Sequence, residues 1–150
     1  MTKNIYIAAD HRGFSAKNAI VSDFKFPAGY NIVDLGPAKL DPKDDYNDAA
    51  IKVAKKVSKD KGSFGILLCG SAHGVCIQAN RFKKVRAIMG LTPELAKIAR
   101  EHNDANVICL SADFQDFSEE SRALSSFLNT DFSGEKRHIR RIKRLSKGVW

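Results

Sequence analysis

The sequence predicts an α/β protein built around a five-stranded parallel sheet, and three observations carry that prediction. Short apolar runs rich in β-formers alternate with longer segments whose apolar residues recur at helical spacing. The alternation continues along all 150 residues, the length of one ordinary domain, without an internal repeat or low-complexity stretch. The third run, Phe64-Gly-Ile-Leu-Leu68, lacks polar alternation, as expected of a strand covered on both faces.

In chain order, Asn4 to Ala9 reads as the first strand. A helix follows over Phe14 to Phe26, with Phe14, Ile20, Val21 and Phe24 near one face and Pro27 and Gly29 to end it. Asn31 to Leu35 is the second strand, closed by Gly36-Pro37. After a loop through Asp45, Ala50, Val53, Ala54 and Val57 mark a helix from about Asp48 to Lys59. The third strand runs into the turn Cys69-Gly-Ser-Ala-His-Gly74, then a helix from about Gly74 to Arg81 and a strand over Val85 to Met89. Thr92-Pro93-Glu94 supplies a capping hydroxyl and a proline in the first turn of a helix reaching about His102. Asn106 to Leu110 is the fifth strand, Ser118 to Leu128 a helix, and His138 to Leu145 the body of a basic C-terminal helix spanning about 136–147. Repeated strand–helix units imply right-handed crossovers, hence a three-layer Rossmann-like sandwich with helices on both faces, forming one domain over 1–150.

Composition narrows the function classes. Hydrophobic residues at 43% and charged residues at 28% suit a folded chain rather than a disordered one. No apolar run approaches the roughly 20 residues needed to cross a bilayer. Met1-Thr-Lys-Asn4 leads straight into a strand, so no secretory signal is expected. Three cysteines without zinc-like spacing argue against a disulfide framework or a structural metal, and a reducing, cytoplasmic setting is predicted. The net charge of +8 points to anionic partners, but it is uneven: Lys136 to Arg144 is basic, Asp41 to Asp48 acidic.

Sheets of this class bind ligands beyond the carboxyl ends of their strands. That rule selects Asp10-His11, Cys69 to Gly74, and Ser111 to Asp113. Small residues at Gly70, Ser71, Ala72 and Gly74 let backbone N–H groups converge on an anion at a helix start, although tight packing needs small residues too. The glycine spacing is not that of a dinucleotide site. Cys69 reads either as a thiolate whose pKa the helix N-terminus lowers or as a small buried hydrophobe; Cys76 and Cys109 fit the second description. Asp10-His11 alone fits a helix cap and its neighbour, and the polar run His102 to Asn106 fits turn chemistry. The basic tail suits a solvated helix face or a nucleic-acid patch, with Trp150 as its lone stacking residue. Arg137 and Arg141, four apart, share a helix face and can clamp a phosphate.

Together, Ile7 to Phe14, Asp45-Tyr46, Gly65 to Ser71, Ala79-Asn80, Arg86-Ala87, Glu101 to Asn106 and Arg137-His138 resemble, in order and spacing, the type B ribose-5-phosphate isomerases of the ribose/galactose isomerase family. The resemblance covers essentially the whole chain. It implies interconversion of ribose 5-phosphate and ribulose 5-phosphate without metal or organic cofactor, in a homodimer or dimer of dimers whose C-terminal helix contributes to the partner subunit. It also implies roles: Cys69 as base with Ser71 assisting, amides of Gly70 to Gly74 with Asn103 on the enediolate oxygen, and His102 opening the ring. Asp10, Asp45 and Tyr46 would orient the sugar, and His11, Arg137 and Arg141 would hold the phosphate. A six-carbon sugar phosphate (allose or galactose 6-phosphate) is the alternative substrate. On this reading Asp10-His11, Cys69 and His102-Asn103 share one edge of the sheet.

Three positions depart from the family's pattern. Ala72 stands where glycine is common, so a negative φ is expected there. His73 replaces a neutral residue and is expected as a partly exposed loop histidine. Asp113 stands where an arginine is common near the phosphate, so it is expected to point away or to leave the phosphate to Arg137 and Arg141.

Overall fold

The computed structural model describes residues 2–147. Met1 and the tail 148–150, with Trp150, lie outside them. The elements run β1 (Lys3–Ala9), α1 (Phe14–Asp23), β2 (Tyr30–Asp34), α2 (Tyr46–Lys59), β3 (Phe64–Cys69), α3 (His73–Ala79), β4 (Ala87–Met89), α4 (Pro93–Asn103), β5 (Val107–Ser111), α5 (Phe117–Leu128) and α6 (Lys136–Lys147). Five parallel strands form one sheet in the order β2-β1-β3-β5-β4. The predicted class therefore holds. Among the described residues no helix is long and apolar enough to cross a membrane.

The period-two alternation of strand side chains builds two cores. Ile5, Ile7, Ala9, Ile66, Leu68, Ile108 and Leu110 face one way and meet Ile20, Ala96, Ala99, Leu124 and Phe127 of α1, α4 and α5. Tyr6, Ala8, Leu67, Cys69, Val107 and Cys109 face the other way, onto Ala50, Val53, Ala54 and Val57 of α2 and Val75 and Ala79 of α3. The chain steps outward from β1 to β2 and then crosses to β3 on the other side of β1. The carboxyl ends of β1 and β3 therefore flank the topological switch point, where the Asp10 N–H donates to the Leu68 carbonyl at 3.2 Å.

Several boundaries move for local reasons. α1 stops at Asp23, because Phe24 turns extended and packs edge-on against Phe26, 4.8 Å between centroids, just before Pro27. β4 is only three residues long. The Asn80 side chain brackets Ala87, accepting from its N–H at 2.8 Å and donating to its carbonyl at 2.9 Å. The Asn106 side chain does the same upstream, accepting from Arg86 N–H and donating to the Lys84 carbonyl. Two side-chain amides thus hold the amino end of β4. Thr92 caps α4 through the Leu95 N–H, as predicted, and Asp116 with Glu119 closes a capping box on α5.

Glu120, in the first turns of α5, is 2% exposed and its Oε1 has no hydrogen-bond partner among the described residues. Burial, then the nearby Asp116 and Glu119 charges, push its pKa up to about 7. A carboxyl whose folded pKa exceeds its unfolded value favours the fold at low pH and loses that advantage as pH rises through the folded pKa. At about 1.4 kcal/mol per pKa unit, ionised Glu120 costs on the order of 3 kcal/mol above pH 7. Glu120→Gln is therefore expected to stabilise the protein by roughly 2–3 kcal/mol more at pH 8 than at pH 5 in urea titrations; equal effects at both pH values would refute the assignment.

Candidate active site

The fold delivers two groups of chemistry-bearing side chains to opposite ends of the sheet. At the carboxyl edge, β1 ends in Asp10, buried at 5%. Its Oδ1 accepts the N–H groups of Arg12 and Gly13, both at 3.0 Å, and so shapes the entrance to α1. Asp10 thus folds the turn ahead of α1 rather than capping the helix, whose N-cap is Gly13, and it also sits beside Cys69 and raises its pKa. His11 follows, with Nδ1 2.7 Å from Asp44 Oδ1, while its backbone N–H donates to the same oxygen at 3.0 Å. That hydrogen bond raises the His11 pKa and favours the imidazolium. Asp45 and Tyr46 open α2 beside this pair, both exposed.

β3 delivers Cys69, 5% exposed on the α2/α3 side. The expected lowering of its pKa by the helix start is not the net result. Burial pushes the thiol up and Asp10 adds to this, while the N–H groups of Val75, Ala72 and Ser71 pull it down without overcoming burial. In a single chain Cys69 is therefore a protonated thiol at neutral pH. Ala72 corrects a second expectation, with φ at +69° rather than negative. It is the N-cap of α3, and its methyl is fully buried in the α2/α3-side core. A left-handed alanine costs about 1–2 kcal/mol, and burying the methyl offsets on the order of 0.8 kcal/mol of that. His73 is exposed, but it opens α3 rather than lying in the loop as expected.

Two glycines in this turn are fixed by what lies over them. A Cβ on Gly74 would stand 2.7 Å from the Tyr46 ring, so Tyr46 lies against the backbone of α3. A Cβ on Gly70 would meet Asp113 Oδ2 at 2.7 Å and Arg12 Nε at 2.8 Å. Asp113 is paired with Arg12, Nε to Oδ2 2.9 Å, directly over Gly70. Its charge is thus neutralised locally rather than turned away. The Gly70 carbonyl is also held, by Ser111 Oγ at 2.6 Å and Asp113 N–H at 3.0 Å. Gln115 braces Ser111 in turn, accepting from its N–H and donating to Gly90. Sequence reasoning missed Asp44, Arg12 and Gln115. Asp44 sits beside Asp45 in an acidic run, and no periodicity tells which carboxylate faces His11.

The other group lies at the amino edge, contrary to the expectation that one edge holds everything. α4 runs antiparallel to the strands, so His102 and Asn103 at its end stand where β5 begins, both exposed. Arg86 Nε donates to the Asn103 carbonyl there at 2.9 Å. Arg137 and Arg141 are close by on α6, whose His138 stacks on His102 with 4.4 Å between ring centroids. The six residues of β3 separate the two edges by about 20 Å, more than a pentose phosphate spans. One chain thus carries Asp10, His11, Asp45, Tyr46, Cys69, Gly70, Ser71 and Gly74 at one end and His102, Asn103, Arg137 and Arg141 at the other. Among the described residues no three His, Cys, Asp or Glu side chains gather as a metal site would require.

Residues 5–145 match the model of a family described as ribose/galactose isomerase. The probable ribose-5-phosphate isomerase B of Mycoplasma genitalium is 43% identical over 146 residues, 97% of this chain and 95% of that protein. A crystal structure of ribose-5-phosphate isomerase B from that organism with bound ribulose-5-phosphate superposes with a TM-score of 0.90 at 41% identity, covering 98% of this chain and 96% of the other. The type B ribose 5-phosphate isomerase of Trypanosoma brucei gives a TM-score of 0.93 at 36% identity, over 98% and 99% of the two chains.

Two outcomes follow from the electrostatics. His11 is expected to titrate above its ordinary value of 6.5 by NMR, and Asp44→Asn to move it down to that value or below; an unmoved titration would break the pairing. In mass-spectrometric alkylation Cys76, the most exposed thiol and the one whose pKa a hydrogen bond from Cys109 lowers, should react first. Cys69 should follow only at alkaline pH, and fully buried Cys109 last. Rapid modification of Cys69 at pH 7 would overturn the protonated resting state.

Proposed function

The chain belongs to the ribose/galactose isomerase family, and on that premise we propose that it is the aldose–ketose isomerase interconverting D-ribose 5-phosphate and D-ribulose 5-phosphate. It would serve the non-oxidative pentose phosphate pathway in the cytoplasm. Relatives named for ribose 5-phosphate, one with ribulose-5-phosphate bound, support the five-carbon sugar over a six-carbon one.

The split machinery is the observation that carries the reading. A thiol, a turn of small residues and sugar-orienting carboxylates occupy one end of the chain, an imidazole and two guanidinium groups the other. In a twofold dimer each end of one copy meets the opposite end of its mate, and two complete sites form. α6, mostly exposed with His138 as its buried residue, would reach across to the second copy.

The chemistry then runs in two stages. Ribose 5-phosphate is mostly a ring, and opening it moves the O1 proton to the ring oxygen. His102 of the second copy suits that shuttle, with Asp10, Asp45 and Tyr46 orienting the hydroxyls. Cys69, as thiolate, next takes the proton from C2, and the electron pair moves into the C1 carbonyl to give an enediolate. N–H groups of Gly70 to Gly74, with Asn103, stabilise the oxygen, and Ser71 assists. The proton returns to C1, the O2 proton passes to the C1 oxygen, and the ketose results without any change in overall oxidation state. His11, Arg137 and Arg141 anchor the phosphate and hold the carbons against sulfur. Imidazole and guanidinium charge from the second copy favours the thiolate that burial disfavours in the single chain.

With ribose 5-phosphate, Cys69→Ala should lower kcat by about 100- to 10,000-fold. Unchanged turnover removes Cys69 as the base. Mixing inactive Cys69→Ala with inactive His102→Asn, after dissociation and reassociation, should restore about a quarter of native activity, because half the dimers are hybrids with one intact site each. No recovery after mixing sinks the shared site.

A further inference from the structure

His102 is exposed at the end of α4, where an imidazole without a neighbour would sample several rotamers. It does have a neighbour: the His138 ring lies against it, 4.4 Å between centroids and tilted by 35°. His138 is 3% exposed on a helix whose other described residues are exposed or half-buried. It is held from two sides. Its Nδ1 is 3.0 Å from Ser133 Oγ, and its N–H donates to the Glu135 carbonyl at 2.9 Å. Ser133 is itself fastened to α4, donating its N–H to the Glu101 carbonyl at 3.1 Å, one residue before His102. The turn from Ser133 to His138 thus starts and ends on the same turn of α4.

From this geometry we propose that His138 is a positioning residue for His102, fixing the orientation in which that imidazole opens the sugar ring. The inference rests on the assignment of ring opening to His102. A loosely held imidazole shuttles protons poorly, since displacement of about 1 Å can cost on the order of 100-fold in rate. The neighbour must also stay uncharged, because a second imidazolium would oppose protonation of His102. Burial, the His102 charge, Arg137 and Arg141 all press the His138 pKa down, and only Glu135 opposes them. Both the packing and the charge around His138 therefore favour a neutral, fixed ring.

The two directions of the reaction separate this role from a general structural one. Ribulose 5-phosphate is acyclic, so its conversion to the open-chain aldose needs no ring opening, whereas ribose 5-phosphate must be opened. With ribose 5-phosphate, His138→Ala should lower kcat/KM by about 10- to 100-fold. With ribulose 5-phosphate, the aldehyde being trapped as it forms, the loss should stay within about 3-fold. His138→Phe, which keeps a ring against His102, should recover most of the loss, and Ser133→Ala should give a smaller loss of the same asymmetry. Equal losses in both directions, or none with ribose 5-phosphate, overturn the proposal. His102→Asn is measured alongside. If it shows no asymmetry, the ring-opening assignment fails and this inference with it; if it does and His138→Ala does not, the inference alone fails.

Discussion

Every crossover helix in a parallel sheet returns the chain to the amino edge, and that constraint governs where this protein's chemistry lies. Residues following a strand reach one edge; residues at the end of a helix reach the other. Asp10, Cys69 and Asp113 belong to the first group, His102 and Asn103 to the second. No side-chain rotamer bridges the strands between them. Backbone direction alone sorts the candidate site residues into two groups at opposite edges.

Within the carboxyl-edge half, opposing forces are balanced over a few residues. Burial keeps Cys69 protonated while three backbone N–H groups wait around its sulfur. Such a thiol is quiet toward solvent and ready for a site that brings in positive charge. The turn that holds it is fastened from several directions. Arg12 and Asp113 close over Gly70, Ser111 grips its carbonyl, and the Ala72 methyl fixes the helix start inside the core. Rigid placement of the amides before substrate arrives is what oxyanion stabilisation requires.

Much of this was legible in the sequence. β3 announced its burial through a run with no polar residue, and Thr92-Pro93 marked the start of α4. Burial of the Ala72 methyl was not readable, because propensity sees the cost of positive φ but not a core contact made by residues far along the chain. The raised Cys69 thiol escaped for the same reason: helix starts are local and desolvation is not. His102 was misplaced at an edge because motif order says nothing about direction, although counting strands and helices would have put it at the amino end. The Arg12–Asp113 pair joins residues 101 apart in sequence, and two opposite charges so distant carry no signal in one chain.

The short edge strand β4 has a further consequence. An open strand edge presents unpaired N–H and C=O groups that can template the addition of a foreign strand, and from there fibrillar aggregation. Here that edge offers only Ala87 to Met89, and the Asn80 carboxamide occupies both backbone groups of Ala87. An edge so short, with its first residue already paired, gives a foreign strand little to add to, and contacts with other molecules are left to side chains, where specificity can be written.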